Sequence, residues 1–302
     1  MTSEPGSQVI GSTLSRRRML SSLARLGGLA LLAGYPVFIE RTWLRVTTLR
    51  FPIPNLPASF RGYRIVHLTD IHHGFLVSLD FVRSVVEKAN ALEGDVIVCT
   101  GDYVQKRRCH NGLDRVWPVL SELTAPDGVY AVLGNHDHWA DTERSLYWLN
   151  RSGQGLRRKV HRLGRGSDGL WLVGAGDLWE DHLPLDHLLG HLPTDECRIV
   201  LAHNPDTADT RYTERVDAFI AGHTHGGQVC IPGLGSPFAP IRNATYAWGL
   251  RRSPRGVPVF ISRGIGWSVV PLRINCPPEI VVLELAPADQ DDSSDRAREA
   301  AG

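Results

Sequence analysis

Short apolar runs recur through the middle of the chain, apolar at consecutive positions rather than alternate ones. They fall at 65–68 (IVHL), 96–99 (VIVC), 129–133 (VYAVL), 199–202 (IVLA) and 219–221 (FIA). Continuous runs of this length suit strands covered on both faces. Between them the spacing turns helical. Apolar residues at 79, 82, 85, 86 and 89 predict a helix over 79–92, and two more are predicted over 113–123 and 142–150. Strands alternating with helices point to βαβ units and an α/β fold. Later the helices thin out, and 159–163, 170–173, 228–231, 257–262 and 280–285 read as strands of a second sheet packed on the first. An edge strand over 44–49 should end at the proline-rich 51–57, because proline cannot continue a ladder. No repeat or long linker interrupts 44–285, so one domain is expected there.

The residues just past each buried run change the picture from fold to chemistry. Leu68 is followed by Asp70 and His72, Cys99 by Gly101 and Asp102, and Leu133 by Gly134, Asn135, His136 and Asp137. Ala202 is followed by His203, and Ala221 by Gly222, His223 and His225. In open α/β sheets the carboxyl ends of the strands line the crevice where ligands bind. Carboxylates, an amide and up to five imidazoles exceed what one tetrahedral site needs. Nitrogen and oxygen donors without thiolate suit Mn, Fe or Zn, and they suffice for two divalent metal ions. A carboxylate shared by ions roughly 3.5–4 Å apart would clamp an in-line displacement at phosphorus. Gly101, Gly134 and Gly222 each precede a candidate ligand, where bare backbone permits sharp turns and close approach.

Composition narrows the partners. The chain of 302 residues is 42% apolar and 22% charged with a net charge of +1, which argues against nucleic-acid binding through bulk positive charge. Five cysteines, odd in number and without CxxC spacing, give no disulfide framework or zinc knuckle. Of the thirteen histidines, His161, His182, His187 and His191 lie in charged or leucine-rich surroundings and are read as surface or packing residues. Residues 1–43 contain Arg16, Arg17 and Arg18 ahead of a weakly apolar 26–39, the pattern of a twin-arginine export signal or membrane anchor. Membrane contact through this segment and the twin-arginine translocase are the implied partners. The acidic 286–302 lacks an apolar period and is expected to be a disordered tail.

Taken together and in order, the five blocks resemble the calcineurin-like metallophosphoesterases. The stretch HTHGGQVCIP and the later SRGIG and NCPPEI are similar to a bacterial membrane-linked branch that often carries twin-arginine leaders. The resemblance spans about 44–285. It implies a four-layer α/β/β/α sandwich of two mixed sheets. It also implies that Asp70, His72 and His225 hold one metal, that Asn135, His203 and His223 hold the other, and that Asp102 bridges. His136 would face the leaving oxygen and Asp137 would orient its ring by a hydrogen bond. The activity implied is hydrolysis of a phosphoester substrate, lipid-linked in one version, at the inner membrane. The catalytic domain would then lie outside, or on the cytoplasmic face if 20–39 lies along the bilayer. Two alternatives stand beside it: the UDP-2,3-diacylglucosamine pyrophosphatase of lipid A synthesis, and a metal-stabilised binding module without catalysis. Lys106, Arg107 and Arg108, close after Asp102, are candidates to receive a phosphate. Trp139, Tyr147, Trp148, Trp179, Trp248 and Trp267 are candidates to line an apolar groove.

Overall fold

The computed structural model describes residues 34–74, 76–105 and 110–288, with 16, 19–22 and 25 ahead of them. Two sheets form the centre. Strands β1 (Arg45–Ile53), β2 (Arg64–Leu68), β3 (Val96–Cys99), β4 (Val129–Ala131) and β11 (Glu279–Pro287) make the first, in the order β1-β11-β2-β3-β4. The second runs β5-β6-β7-β8-β10-β9, built from Lys159–Arg165, Asp168–Gly174, Cys197–Leu201, Ala218–Ala221, Pro258–Ile261 and Gly249–Arg252. Both sheets are mixed. β2, β3 and β4 are parallel to one another, as are β6, β7, β8 and β10. Their carboxyl ends therefore point one way and deliver the polar residues beyond them to one crevice.

Period-two alternation explains the layers. Val66 and Leu68 of β2 face helices α1 (Leu79–Asn90) and α2 (His110–Leu120), packing with Val82, Val85, Val116 and Trp117. Ile65 of β2 and Val96 and Val98 of β3 face the second sheet, where they meet Leu170, Leu172, Ile199 and Leu201. Each such side chain, fully buried, contributes about 1.5–3 kcal/mol. The outer face of the second sheet, through Val173, Val200 and Phe219, is covered by Leu185, Leu189 and Tyr212. The α/β sandwich thus has its four layers, but the fourth is thin: a one-turn helix at Asp186–Leu189 and a 3-10 turn at Pro205–Asp209.

Several boundaries differ from the sequence expectation, each for a physical reason. β1 runs through Pro52, whose missing N–H is harmless because β1 is an edge strand paired only with β11. Residues 228–231 form no strand; they are held by single bridges from Val229 to Ile274 and from Ile231 to Gly235. The helix expected at 142–150 begins earlier, as α3 (Asn135–Arg151), with a kink at Asp141. β11 continues to Pro287, so the tail begins later than 286, and 289–302 lie outside the described residues.

The folded unit also begins ahead of the expected boundary at 43. Glu40 is 4% exposed and its Oε1 accepts from the backbone N–H of Cys276 at 2.7 Å. The Arg273 N–H donates to the Pro36 carbonyl, and the Arg41 guanidinium lies 4.7 Å from the Trp267 ring centroid. Residues 36–41 therefore belong to the folded unit. Glu40→Ala should lower unfolding free energy by about 1–3 kcal/mol in urea titration, because a buried N–H loses its acceptor. Glu40→Gln, which keeps an oxygen there, should lose less. Among the described residues no helix is long and apolar enough to cross a membrane. Residues 26–33, with Arg17 and Arg18, lie outside the described residues.

His67, on the inter-sheet face of β2, meets the Thr100 hydroxyl at 2.8 Å. Burial pushes its pKa from 6.5 down to about 3, against a smaller upward pull from Asp70. The folded state thus holds it neutral while the unfolded chain takes up a proton below pH 6.5. Its contribution is complete above that pH and shrinks as pH falls towards the folded value. Between pH 6.5 and 5 the metal-free protein should lose about 2 kcal/mol that a His67→Gln variant does not lose, read from paired urea titrations.

Candidate metal centre

The strand ends converge on two clusters that share one oxygen. In the first, His72 Nε2 lies 2.9 Å from His225 Nε2, and Asp70 Oδ1 is 3.3 Å from the latter. In the second, His203 Nε2 lies 3.1 Å from His223 Nδ1. Asp102 Oδ2 sits between them, 3.4 Å from His72 Nε2 and 3.2 Å from His203 Nε2. Its other oxygen, Oδ1, is held by the backbone N–H of His136 at 2.8 Å.

Hydrogen bonds outside the clusters decide where the protons sit. His203 Nδ1 faces the Thr100 carbonyl at 2.7 Å, and a carbonyl only accepts, so Nδ1 carries the hydrogen and Nε2 the lone pair. His223 Nε2 likewise faces the Pro240 carbonyl at 3.2 Å, leaving the lone pair on Nδ1. With both rings neutral, two nitrogen lone pairs and a carboxylate oxygen are then turned on one another with no donor between them. Asp70 Oδ1 and Asn135 Oδ1 are also buried without a hydrogen-bond partner. Acceptors crowded in this way are costly unless a cation lies among them. Asp70, His72 and His225 could hold one ion, and Asp102, His203 and His223 a second. The donor set, imidazole and carboxylate without thiolate, fits a divalent metal.

The backbone is bent to reach this arrangement. Asp70, His72, Asp102, His223 and His225 all have positive φ, between 50° and 71°. That left-handed region is unfavourable for side chains other than glycine, and its concentration here marks a site held in shape by its surroundings. Close approach explains the glycines at 134 and 222 more directly than turning does. A Cβ on Gly134 would stand 2.2 Å from Asp102 Oδ1, and one on Gly222 would stand 2.1 Å from Thr69 Oγ1.

Electrostatics reflect the crowding. Burial opposes ionisation of Asp102, but His203 and His136 outweigh it and hold the carboxyl well below the usual range. Asp70 is held low in the same sense by His225 and His72. Burial would lower His203, yet the Asp102 carboxylate pushes it up to about 10. His223 is pushed down to about 4 by burial and by His203. Without an ion the cluster thus gathers a proton at His203, in the place a metal would take.

The structure brings Asp70, His72, Asp102, Asn135, His136, His203, His223 and His225 together. One expected contact is replaced by another. Asp137 does not bond the His136 ring; its carboxylate accepts from the backbone N–H groups of Asp102, Tyr103 and Gly134 at 2.8, 2.9 and 2.9 Å. It pins the two loops that carry Asp102 and Asn135. Burial and the Asp102 charge push its pKa up to about 8, against those three donors. The His136 ring is oriented instead by the Gln105 carbonyl, which takes the Nδ1 hydrogen at 2.7 Å.

Lys106, Arg107 and Arg108 lie outside the described residues. Of the aromatic candidates, Trp139 lies 4.8 Å from the His136 ring, and Trp179 lies 4.6 Å from His223 and 6.4 Å from Trp139. These two flank the clusters. Trp267 is buried in the core, and Tyr147 and Trp148 pack on each other and on Arg144. Asp177, which sequence patterning does not single out, is buried with Oδ2 unpartnered, while Oδ1 fixes the backbone of Trp179 and Glu180. It comes after β6 as the other site residues come after their strands, and that placement is the available signal.

The sequence profile of the calcineurin-like phosphoesterases matches residues 63–227, more than half of the chain. The chain belongs to this family. This calcineurin-like phosphoesterase is 31% identical over 277 residues to "Phosphodiesterase YaeI" of Escherichia coli, covering 90% of this chain and 99% of that protein. It is 28% identical to "Uncharacterized metallophosphoesterase YkuE" of Bacillus subtilis, with 90% and 98% covered. It is also 26% identical to "UDP-2,3-diacylglucosamine pyrophosphatase LpxG" of Chlamydia trachomatis, with 81% and 90% covered. As a member of the family it is a metal-dependent hydrolase of phosphoester bonds, and the reading as a binding module without catalysis is set aside.

Proposed function

We propose that this enzyme is a two-metal phosphodiesterase working at a membrane. The observation that carries the two-metal assignment is Asp102 Oδ2, placed between two imidazole clusters and in contact with both. Asp70, His72 and His225 would hold one ion and Asn135, His203 and His223 the other, with Asp102 within reach of both. Mn, Fe and Zn all match the donors. When bound, such a pair supplies the clamp for in-line displacement at phosphorus and acidity enough to ionise water near neutral pH. The protein's own part is positional. The Gln105 carbonyl keeps the Nδ1 hydrogen of His136, so the ring presents Nε2 to the substrate, and when that nitrogen is protonated it gives the Nε2 proton to the departing oxygen. Asp137 keeps the loops of Asp102 and Asn135 in register. The aromatic pair Trp139 and Trp179 walls the approach, and Lys106, Arg107 and Arg108 are candidates to meet the phosphate.

The stretch ahead of residue 36, with Arg16, Arg17 and Arg18, is read as a twin-arginine-like leader or anchor, which supports a catalytic domain outside the inner membrane. The LpxG likeness supports a second reading, cleavage of the pyrophosphate in UDP-2,3-diacylglucosamine on the cytoplasmic face. Full-length enzyme loaded with Mn, given a soluble aryl phosphodiester and that lipid nucleotide in parallel, separates the two. Faster UMP release from the nucleotide selects the second reading. Cleavage of the diester alone selects the first, and no turnover of either removes both.

A further inference from the structure

Three loops beside the metal centre are tied together by hydrogen bonds and carry large apolar side chains into solvent. The first is 36–41, at the start of the folded unit, where Phe38 is 72% and Ile39 53% exposed. The second is 268–272, where Val269 is 92% exposed with a positive φ of 63° and Val270 is 44% exposed. The third is 229–239, where Leu234 is 69%, Phe238 70% and Ile231 40% exposed.

The Arg273 N–H joins the second loop to Pro36. Gln228, directly after the loop of His223 and His225, accepts from the Ser268 N–H and donates to the Val270 and Leu272 carbonyls. Cys230 N–H donates to the Ile274 carbonyl, joining the third loop to the second. The third loop then returns to the centre, where the Pro240 carbonyl fixes His223.

From this arrangement we infer that the three loops form a docking surface for a lipid bilayer, so that the metal centre opens next to the headgroups. Resting on the two-metal reading above, it names the substrate class: phosphodiesters carried on lipids. Two further observations select lipid as the occupant. The apolar run 26–39 arrives at the first loop, bringing with it chain suited to an acyl phase. Trp43, 51% exposed, stacks with the Arg45 guanidinium at 4.5 Å, a pairing of ring and cation suited to the interface between headgroup and acyl chain. A strained, almost fully exposed valine is hard to account for in water alone.

The test uses the full-length chain with an environment-sensitive fluorophore on Val269→Cys, reconstituted into phosphatidylglycerol–phosphatidylethanolamine vesicles containing a shallow nitroxide-labelled lipid. Labelled wild type corrects for native cysteines. A label on Ser167→Cys, exposed in the β5–β6 turn, serves as the control site. We expect quenching at 269 at least twice that at 167, reduced towards the control by Leu234→Asp with Phe238→Asp. Equal quenching at the two sites overturns the inference. So does a response at 269 that rises with protein concentration in lipid-free detergent, which would mean that a second copy covers the face. The readout needs no turnover, so failure of docking and failure of the two-metal reading are distinguishable.

Discussion

Replacing Asp102 with Ala is expected to reduce kcat/KM for diester hydrolysis by on the order of 10³-fold or more, and to take metal content below two ions per chain. The reason is that, among the described residues, Asp102 is the carboxylate that touches both clusters. Oδ2 faces His72 on one side and His203 on the other, while Oδ1 receives the His136 N–H. Removing the carboxylate takes away the shared ligand, the main charge that draws a proton or cation to His203, and the acceptor that seats the His136 backbone. Asp102→Asn separates these effects, since it keeps an oxygen for the His136 N–H but removes the negative charge. Metal analysis of both variants, alongside kinetics with Mn in excess, checks the assignment. Two tightly held ions in the Asn variant would show that Asp102 is not the bridge.

His136→Ala should act differently: a loss of about 10²–10⁴-fold in kcat with both metals retained. His136 could also be counted as a ligand, because it lies with His72 and Asp102 in a third group close enough to hold an ion. Metal content therefore decides between the two roles. A proton donor leaves a further signature in the leaving group. An alkyl diester, whose alkoxide needs a proton to depart, should lose far more than an aryl diester whose phenolate does not. Equal losses on the two substrates, or loss of an ion, would assign His136 to the metal shell instead.

Much of the architecture was legible in the sequence because strands buried on both faces leave uninterrupted apolar runs. β2, β3, β7 and β8 fall within a residue or two of the expected positions. The residues that gather at the crevice were legible for the same reason, each coming directly after such a run. What escaped the sequence depends on contacts between distant segments. An edge strand is expected there, but nothing near Pro52 indicates that the ladder with β11 continues through the proline to Ile53. Nothing near Asp137 indicates that three backbone amides from two loops reach its carboxylate before the neighbouring imidazole does. Glu40 reads as the end of a leader, and only its contact with Cys276, across 236 residues, makes it part of the core. The left-handed backbone at five of the site residues is likewise invisible, since only glycine advertises it.

The sheet order carries a consequence for the timing of assembly. β11, the last strand among the described residues, lies between β1 and β2, pairing Arg45 with Glu279 and His67 with Val281. Until synthesis reaches Pro287, the first sheet has a gap next to its edge, and the inter-sheet faces of β1 and β2 lack Val281, Leu283 and Leu285. Such contacts between chain ends form late and slowly. The segment ahead of β1 therefore emerges well before the first sheet can close, and closure waits for residues 279–287 to be made.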